Sequence, residues 1–319
     1  MRKKKPLLII VALALLCLAA WAWTPDLPRA ELDAKYLRQA SDRLALRDLP
    51  GVQLHVRDSG PRESLQEGRG QPPVLLLIHG FGASLHTWEP WAEALAETYR
   101  VIRIDLPGSG LSPPDPSGLY TDARTEQIVL ALLDQLQLAQ ITLIGHSIGG
   151  RIAWQMAAQH PERITRLVLI APDGFASPGI DYGKAPALPA GLKLMTRVLP
   201  RPLLRMSLEP AYANPDALSE RLTERYHDLL RAPGARSALL ARMQQTVLTD
   251  PRPALRRISA PTLLIWGEQD AMIPFGNSAD YLAVLPHARL VALRGIGHLP
   301  QEEQPARGLA ALQAFLREG

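Results

Sequence analysis

Ser147 stands at the centre of Gly145-His146-Ser147-Ile148-Gly149, directly after the apolar run Ile141 to Ile144 and before Arg151 to Gln159, which carries Ile152 and Met156 on one helical face. A strand passing through so short a turn into a helix strains its central residue and crowds the positions two before and two after, where glycine fits. Such a nucleophile elbow presents a serine hydroxyl to a carbonyl carbon. A hydroxyl is a weak nucleophile until a base takes its proton, and the base needs an acid to orient it. His298, in the glycine-flanked loop Gly295-Ile296-Gly297-His298-Leu299-Pro300, is the candidate base. Asp270 is the candidate acid, because it follows the apolar run Thr262 to Trp266 at a strand's C-terminal end, where open α/β sheets gather active-site groups. Asp173, after the strand Leu167 to Ile170, is an alternative acid, and Glu268 is close by.

The negative oxygen that forms during attack on a carbonyl needs hydrogen-bond donors. After the all-apolar strand Val74 to Ile78, the turn His79-Gly80-Phe81-Gly82 can offer the Phe81 backbone N–H, with the Ile148 N–H as the second donor. Asp105 and Ser109, in the turn Asp105 to Ser112, read as turn-stabilising residues, and His79, His86, His146 and Trp88 as packing or backbone partners near the pocket. No His-Glu-x-x-His or paired-cysteine spacing occurs, so neither a metal nor an organic cofactor is implied.

At 319 residues the chain has room for one α/β domain and an insertion. The insertion falls between Gly174 and Thr262, where no convincing strand pattern occurs. Leu218, Leu222, Tyr226 and Leu229, then Leu239, Met243 and Val247, follow helical spacing, and prolines divide the stretch into short helices. This segment is expected to be a helical cap over the active site. Fifteen Leu and three Met lie between Phe175 and Ser259, enough for cap packing and for an acyl-binding pocket. The same stretch is basic, which suits either a solvated arginine-rich surface or contact with an anionic lipid surface.

Together these motifs resemble the α/β-hydrolase superfamily, in its branch of small capped serine esterases and lipases related to monoacylglycerol lipases, over roughly residues 48 to 319. The resemblance implies a mostly parallel central sheet flanked by helices, with the cap inserted before the strand that precedes the catalytic acid. It further implies Ser147 as nucleophile, His298 as base, Asp270 as orienting acid, and Phe81 and Ile148 as oxyanion donors. The expected division is 48–174 and 260–319 as core and 175–259 as cap. The expected chemistry is hydrolysis of a small-molecule or lipid ester with an apolar acyl part. C–C bond hydrolases, thioesterases, acyltransferases and perhydrolases keep the same serine and stay open as alternatives. A non-catalytic binding module of this family usually lacks part of the triad, and here no part is missing.

The N-terminus adds a targeting expectation. Arg2-Lys3-Lys4-Lys5 precedes the apolar run Leu7 to Trp23, which suits a signal anchor or a cleavable signal peptide over residues 1–23. Either puts the catalytic domain on the extracytoplasmic, periplasmic side, as a membrane-anchored or a secreted protein. Trp21 and Trp23 suit the membrane boundary, and residues 24–47 read as a tether with an amphipathic helix. Without the four leading cations the 35 Lys and Arg drop to 31, equal to the 31 Asp and Glu, so the basic balance belongs to targeting and not to nucleic-acid binding. Cys17 is the only cysteine, so no intramolecular disulfide can form.

Overall fold

Strands that carry apolar side chains on both faces must be covered on both faces, which favours parallel strands with helical crossovers. The computed structural model, described here over residues 17, 20–62, 72–176 and 181–318, shows this arrangement. Eight strands, β1 (Arg43–Ala45), β2 (Gln53–Ser59), β3 (Val74–Ile78), β4 (Arg100–Ile104), β5 (Ile141–His146), β6 (Ile164–Ile170), β7 (Thr262–Gly267) and β8 (Ala288–Leu293), form one sheet in the order β1-β2-β4-β3-β5-β6-β7-β8. β1 and β2 run antiparallel at one edge, and the pairs from β4 through β8 are all parallel. Ile78 pairs with Gly145, His146 with Ile170, and Ile170 with Ile265, so β3, β5, β6 and β7 end at nearly one level. The loops of Phe81, Ser147, Asp173 and Asp270 leave from that rim, and the His298 loop leaves from the adjoining end of β8, where Leu293 pairs with Gly267.

Alternate residues of each strand feed two cores. Leu75, Leu77, Ile144, Val168, Ile170 and Ile265 pack against Trp91 of the helix Glu89–Leu95 and Leu312 and Phe315 of the helix Pro305–Arg317. On the other face Leu76, Ile78, Leu143, Leu169 and Trp266 meet Ile128 and Leu132 of the helix Asp122–Gln135 and Ile152 and Met156 of the helix Ile148–Gln159.

Between β6 and β7 the chain builds helices Arg201–Leu208, Glu220–Leu230, Ala235–Gln245 and Arg252–Leu255, with no named strand among the described residues. Of the first predicted stripe, Leu218, Tyr226 and Leu229 are buried and Leu222 is half-buried. The second stripe ends early. The helix stops at Gln245 and Thr246 turns extended, so Val247 leaves the stripe and is 46% exposed, while Met243 is half-buried. Arg236 and Arg242 are buried on that helix instead. Part of the basic excess is paired with acids outside the cap: Arg225 with Glu302 and Arg236 with Asp26.

The N-terminal expectation needs correction. Among the described residues no helix is long and apolar enough to cross a membrane, so the transmembrane anchor, and the membrane-anchored location drawn from it, is set aside. Residues 1–16, 18 and 19, on which most of that expectation rested, lie outside the described residues. Trp23, expected at a membrane boundary, forms an antiparallel bridge to Val198 and lies under the Arg197 guanidinium, 5.8 Å from its ring centroid. Its neighbours are fastened to the cap. Thr24 donates its N–H to the Arg197 carbonyl at 2.8 Å and accepts from Leu199 N–H at 3.0 Å, and Arg236 Nη1 donates to the Thr24 carbonyl at 2.7 Å. The helix Arg29–Tyr36 then buries Leu32 among Leu111, Leu229 and Ala232, and Arg29 reaches the Leu111 carbonyl. The stretch read as a tether is a strap across cap and core.

Candidate active site

At the end of β5 the backbone turns through Ser147 at φ 55° and ψ −121° into the helix Ile148–Gln159. A residue with a Cβ is found in such a region only where the surroundings force it there. The force is visible at the flanking glycines. A Cβ on Gly145 would lie 2.2 Å from the Gly149 carbonyl oxygen, and one on Gly149 would lie 2.4 Å from the Ile78 carbonyl oxygen. Ser147 N–H donates to the Ile170 carbonyl and Asp173 N–H to the Ser147 carbonyl, both at 3.0 Å, which pins the turn to the end of β6.

His298 and Asp270 are brought together. Asp270 Oδ1 accepts the N–H groups of Met272 and Ile273, each at 2.8 Å, and Oδ2 accepts Nδ1–H of His298 at 2.7 Å. The carboxylate is thereby held by its own loop before it holds the imidazole, and both side chains are buried. With Nδ1 committed, Nε2 is the ring nitrogen left to take a proton.

His146 joins this pair to the elbow. Its ring lies 4.5 Å from the His298 ring, and its Nε2–H donates to the His298 carbonyl at 2.8 Å. Burial holds the His146 pKa well below the usual value, so it is neutral. Its place next to Ser147 in sequence gave no sign of this contact.

Asp173, the alternative acid, is not brought to His298. Its carboxylate is taken by Arg151, which also binds Asp122 through Nε at 2.9 Å, and its carbonyl accepts from Trp154 and Tyr281, both at 3.0 Å. Glu268 is exposed.

The His79-Gly80-Phe81-Gly82 turn packs directly on the elbow, since a Cβ on Gly80 would lie 3.1 Å from Ser147 Cβ. The N–H groups of Phe81 and Ile148 have no backbone acceptor among the described residues. Ile148 also opens a helix, where free N–H groups and the helix dipole favour negative charge. His79 braces the turn, its Nδ1–H donating to the Gly80 carbonyl at 2.7 Å and its Nε2 accepting Leu106 N–H at 3.0 Å.

A second Asp–His pair lies beneath. His55 Nδ1 is 2.6 Å from Asp105 Oδ2, and Asp105 also accepts the N–H groups of Leu85 at 2.6 Å and Leu111 at 2.8 Å. His55 and Asp105 are fully buried, and these contacts order the Asp105 to Ser112 turn. The favourable charge and hydrogen bond of His55 outweigh burial and hold the Asp105 pKa far below the ordinary carboxylate range.

Next to the His79-Gly80-Phe81-Gly82 turn, Leu199, Leu204, Tyr226, Leu230 and Leu239 of the cap close on Ala83. No group of three or more His, Cys, Asp or Glu that could hold a metal occurs among the described residues.

Comparison with known proteins agrees with this architecture. The model of the alpha/beta hydrolase fold family matches residues 73–305. The chain is 30% identical to a 2-hydroxymuconate semialdehyde hydrolase of Pseudomonas sp. strain CF600, over 84% of this chain and 95% of that protein. It is 31% identical to a pimeloyl-[acyl-carrier protein] methyl ester esterase of Aeromonas hydrophila subsp. hydrophila, over 77% and 96%. Among solved structures, an enol-lactonase from Burkholderia xenovorans LB400 superposes with a TM-score of 0.70 at 26% identity, covering 86% of this chain and all of that one, 100%. A family model matched across most of the sheet, and relatives aligned nearly end to end, agree with the strand order: the chain belongs to the α/β-hydrolase fold family and to its hydrolases.

Proposed function

We propose that this chain hydrolyses carboxylic esters with an apolar acyl part through an acyl-enzyme formed on Ser147. His298 Nε2 takes the Ser147 proton as Oγ attacks the carbonyl carbon, Asp270 steadies the imidazolium, and the Phe81 and Ile148 N–H groups hold the oxyanion. The alcohol leaves with the proton from His298. Water then repeats the sequence and frees the acid. The observation that carries the reading is the strained Ser147 turn, whose preceding residue His146 lies ring to ring 4.5 Å from His298, an imidazole whose Nδ1 is already held by a carboxylate. The leucine-rich underside of the cap, closing on Ala83 next to the oxyanion turn, supports an apolar acyl group. Two relatives carry names for ester chemistry, a methyl ester and a lactone, which is a cyclic ester.

Ser147→Ala is expected to abolish labelling by a fluorophosphonate and to lower kcat on short aliphatic esters by roughly 10⁴-fold or more. Labelling that persists in this variant, or activity within tenfold of wild type, rules the assignment out. Hydrolysis of a C–C bond on the same triad is the second reading, favoured by the relative named as a semialdehyde hydrolase. Wild-type protein that labels at Ser147 yet cleaves no ester in a series of acyl lengths would favour it.

A further inference from the structure

The short helix Pro300–Glu303 begins two residues after His298 and ends in two adjacent acids with different partners. Glu302 holds cap side chains: it accepts Tyr212 OH at 2.6 Å, Arg225 Nη2 at 2.7 Å and Tyr226 OH at 3.2 Å. Glu303 instead holds backbone on two sides. Its Oε2 accepts the Gly297 N–H and its Oε1 the Asn214 N–H, both at 2.7 Å. One carboxylate therefore joins the loop of His298 to the cap segment 211–214.

Further contacts make the joint tight. His298 N–H donates to the Ala211 carbonyl at 2.8 Å, and a Cβ on Gly297 would lie 2.6 Å from Ala213 N. On the opposite side a Cβ on Gly267 would lie 2.1 Å from the Gly297 carbonyl oxygen. The His298 loop is thus wedged between the end of β7, which leads to Asp270, and the cap, with Glu303 bonded across the seam.

We infer that Glu303 is a positioning residue for catalysis: by bonding Gly297 and Asn214 together it sets the place of the His298 imidazole and couples that place to the seating of the cap. The inference rests on the reading of His298 as base. A carboxylate can accept from both N–H groups, whereas a glutamine amide presents a donor to one of them. Misplacing a catalytic group by about 1 Å costs on the order of 10²-fold in rate.

The test compares purified wild type with E303Q, E303D and E302Q on one ester series, with circular dichroism and thermal unfolding to show that each is folded. E303Q is expected to lower kcat by roughly 10- to 100-fold with KM within about threefold, and to slow fluorophosphonate labelling of Ser147 in proportion. E303D keeps the charge but draws the acceptor back by one methylene and is expected to fall between the two. E302Q, which touches only the cap, is expected to raise KM with kcat within about threefold. Should E303Q not fold, the E303D comparison decides. Wild-type kcat and labelling rate in a folded E303Q or in E303D overturn the inference, as does a change in KM alone at both positions. Wild-type protein that is not labelled at Ser147 removes the hydrolase reading itself, a failure distinct from normal labelling in the Glu303 variants.

Discussion

At Ser147 the backbone conformation works against stability. A non-glycine residue in such a region costs on the order of 1–3 kcal/mol, which the bonds from Ser147 to Ile170 and from Asp173 to Ser147 offset. Ser147→Gly is therefore expected to abolish turnover while raising stability by about 1 kcal/mol, after allowing for the extra flexibility glycine gives the unfolded chain. Urea unfolding of the two proteins side by side checks this, and a less stable glycine variant would mean that the turn is not strained. Ser147, Asp270 and His298 stood out in the sequence because each demands particular neighbours: glycines around a tight turn, or a loop directly after an apolar run. His146 and Glu303 did not. A histidine inside a strand and an acid pair on a short helix have no spacing that reports their partners, which come from residues 152 and 89 positions away.

Among the elements, the turn from Asp105 to Ser112 shows how a buried charge can hold a loop. Asp105 accepts from His55, Leu85 and Leu111 with no water within reach, so an amide at that position would face at least one N–H with another. Asp105→Asn is expected to cost roughly 3–5 kcal/mol, the range for breaking a buried charged contact. Because the pKa of Asp105 is depressed on folding, its contribution is complete above about pH 4 and is lost as pH falls below that. Denaturant midpoints for wild type and variant should lie far apart at pH 7 and draw together in acid, and parallel curves across that range would contradict the assignment. The turn was legible as a turn, and its tie to His55 was not, since nothing local relates the two. The cap was legible as helical, but its register was not: burial of Arg236 and Arg242 depends on carbonyls at Thr24 and Pro107 that no periodicity encodes.

For the whole molecule, buried neutral histidines set the response to mild acid. Burial lowers the pKa of His79 and His146, and takes that of His86 down to about 3, despite the raising effect of Asp105 on His79 and His86. In the unfolded chain these groups take up protons below about pH 6.5. The folded protein does not, so the stability they confer is present above that pH and is lost on the way down, for His86 until about pH 3. For His86 this amounts to about 1.4 kcal/mol per pH unit between about pH 6.5 and pH 3. Stability measured by urea is expected to fall by about 2 kcal/mol or more between pH 7 and pH 5, before most carboxylates titrate, and an unchanged midpoint would show that these imidazoles are reached by water.

The strap has a consequence for how the chain is made. Arg236 closes on the carbonyl of a residue 212 positions earlier, so the strap is synthesised long before its partner in the cap exists. Contacts so distant in sequence are slow to form. Until the insertion emerges, Leu32 has Leu111 beside it but lacks Leu229 and Ala232, and a nascent chain halted before the cap would be a natural client for chaperones.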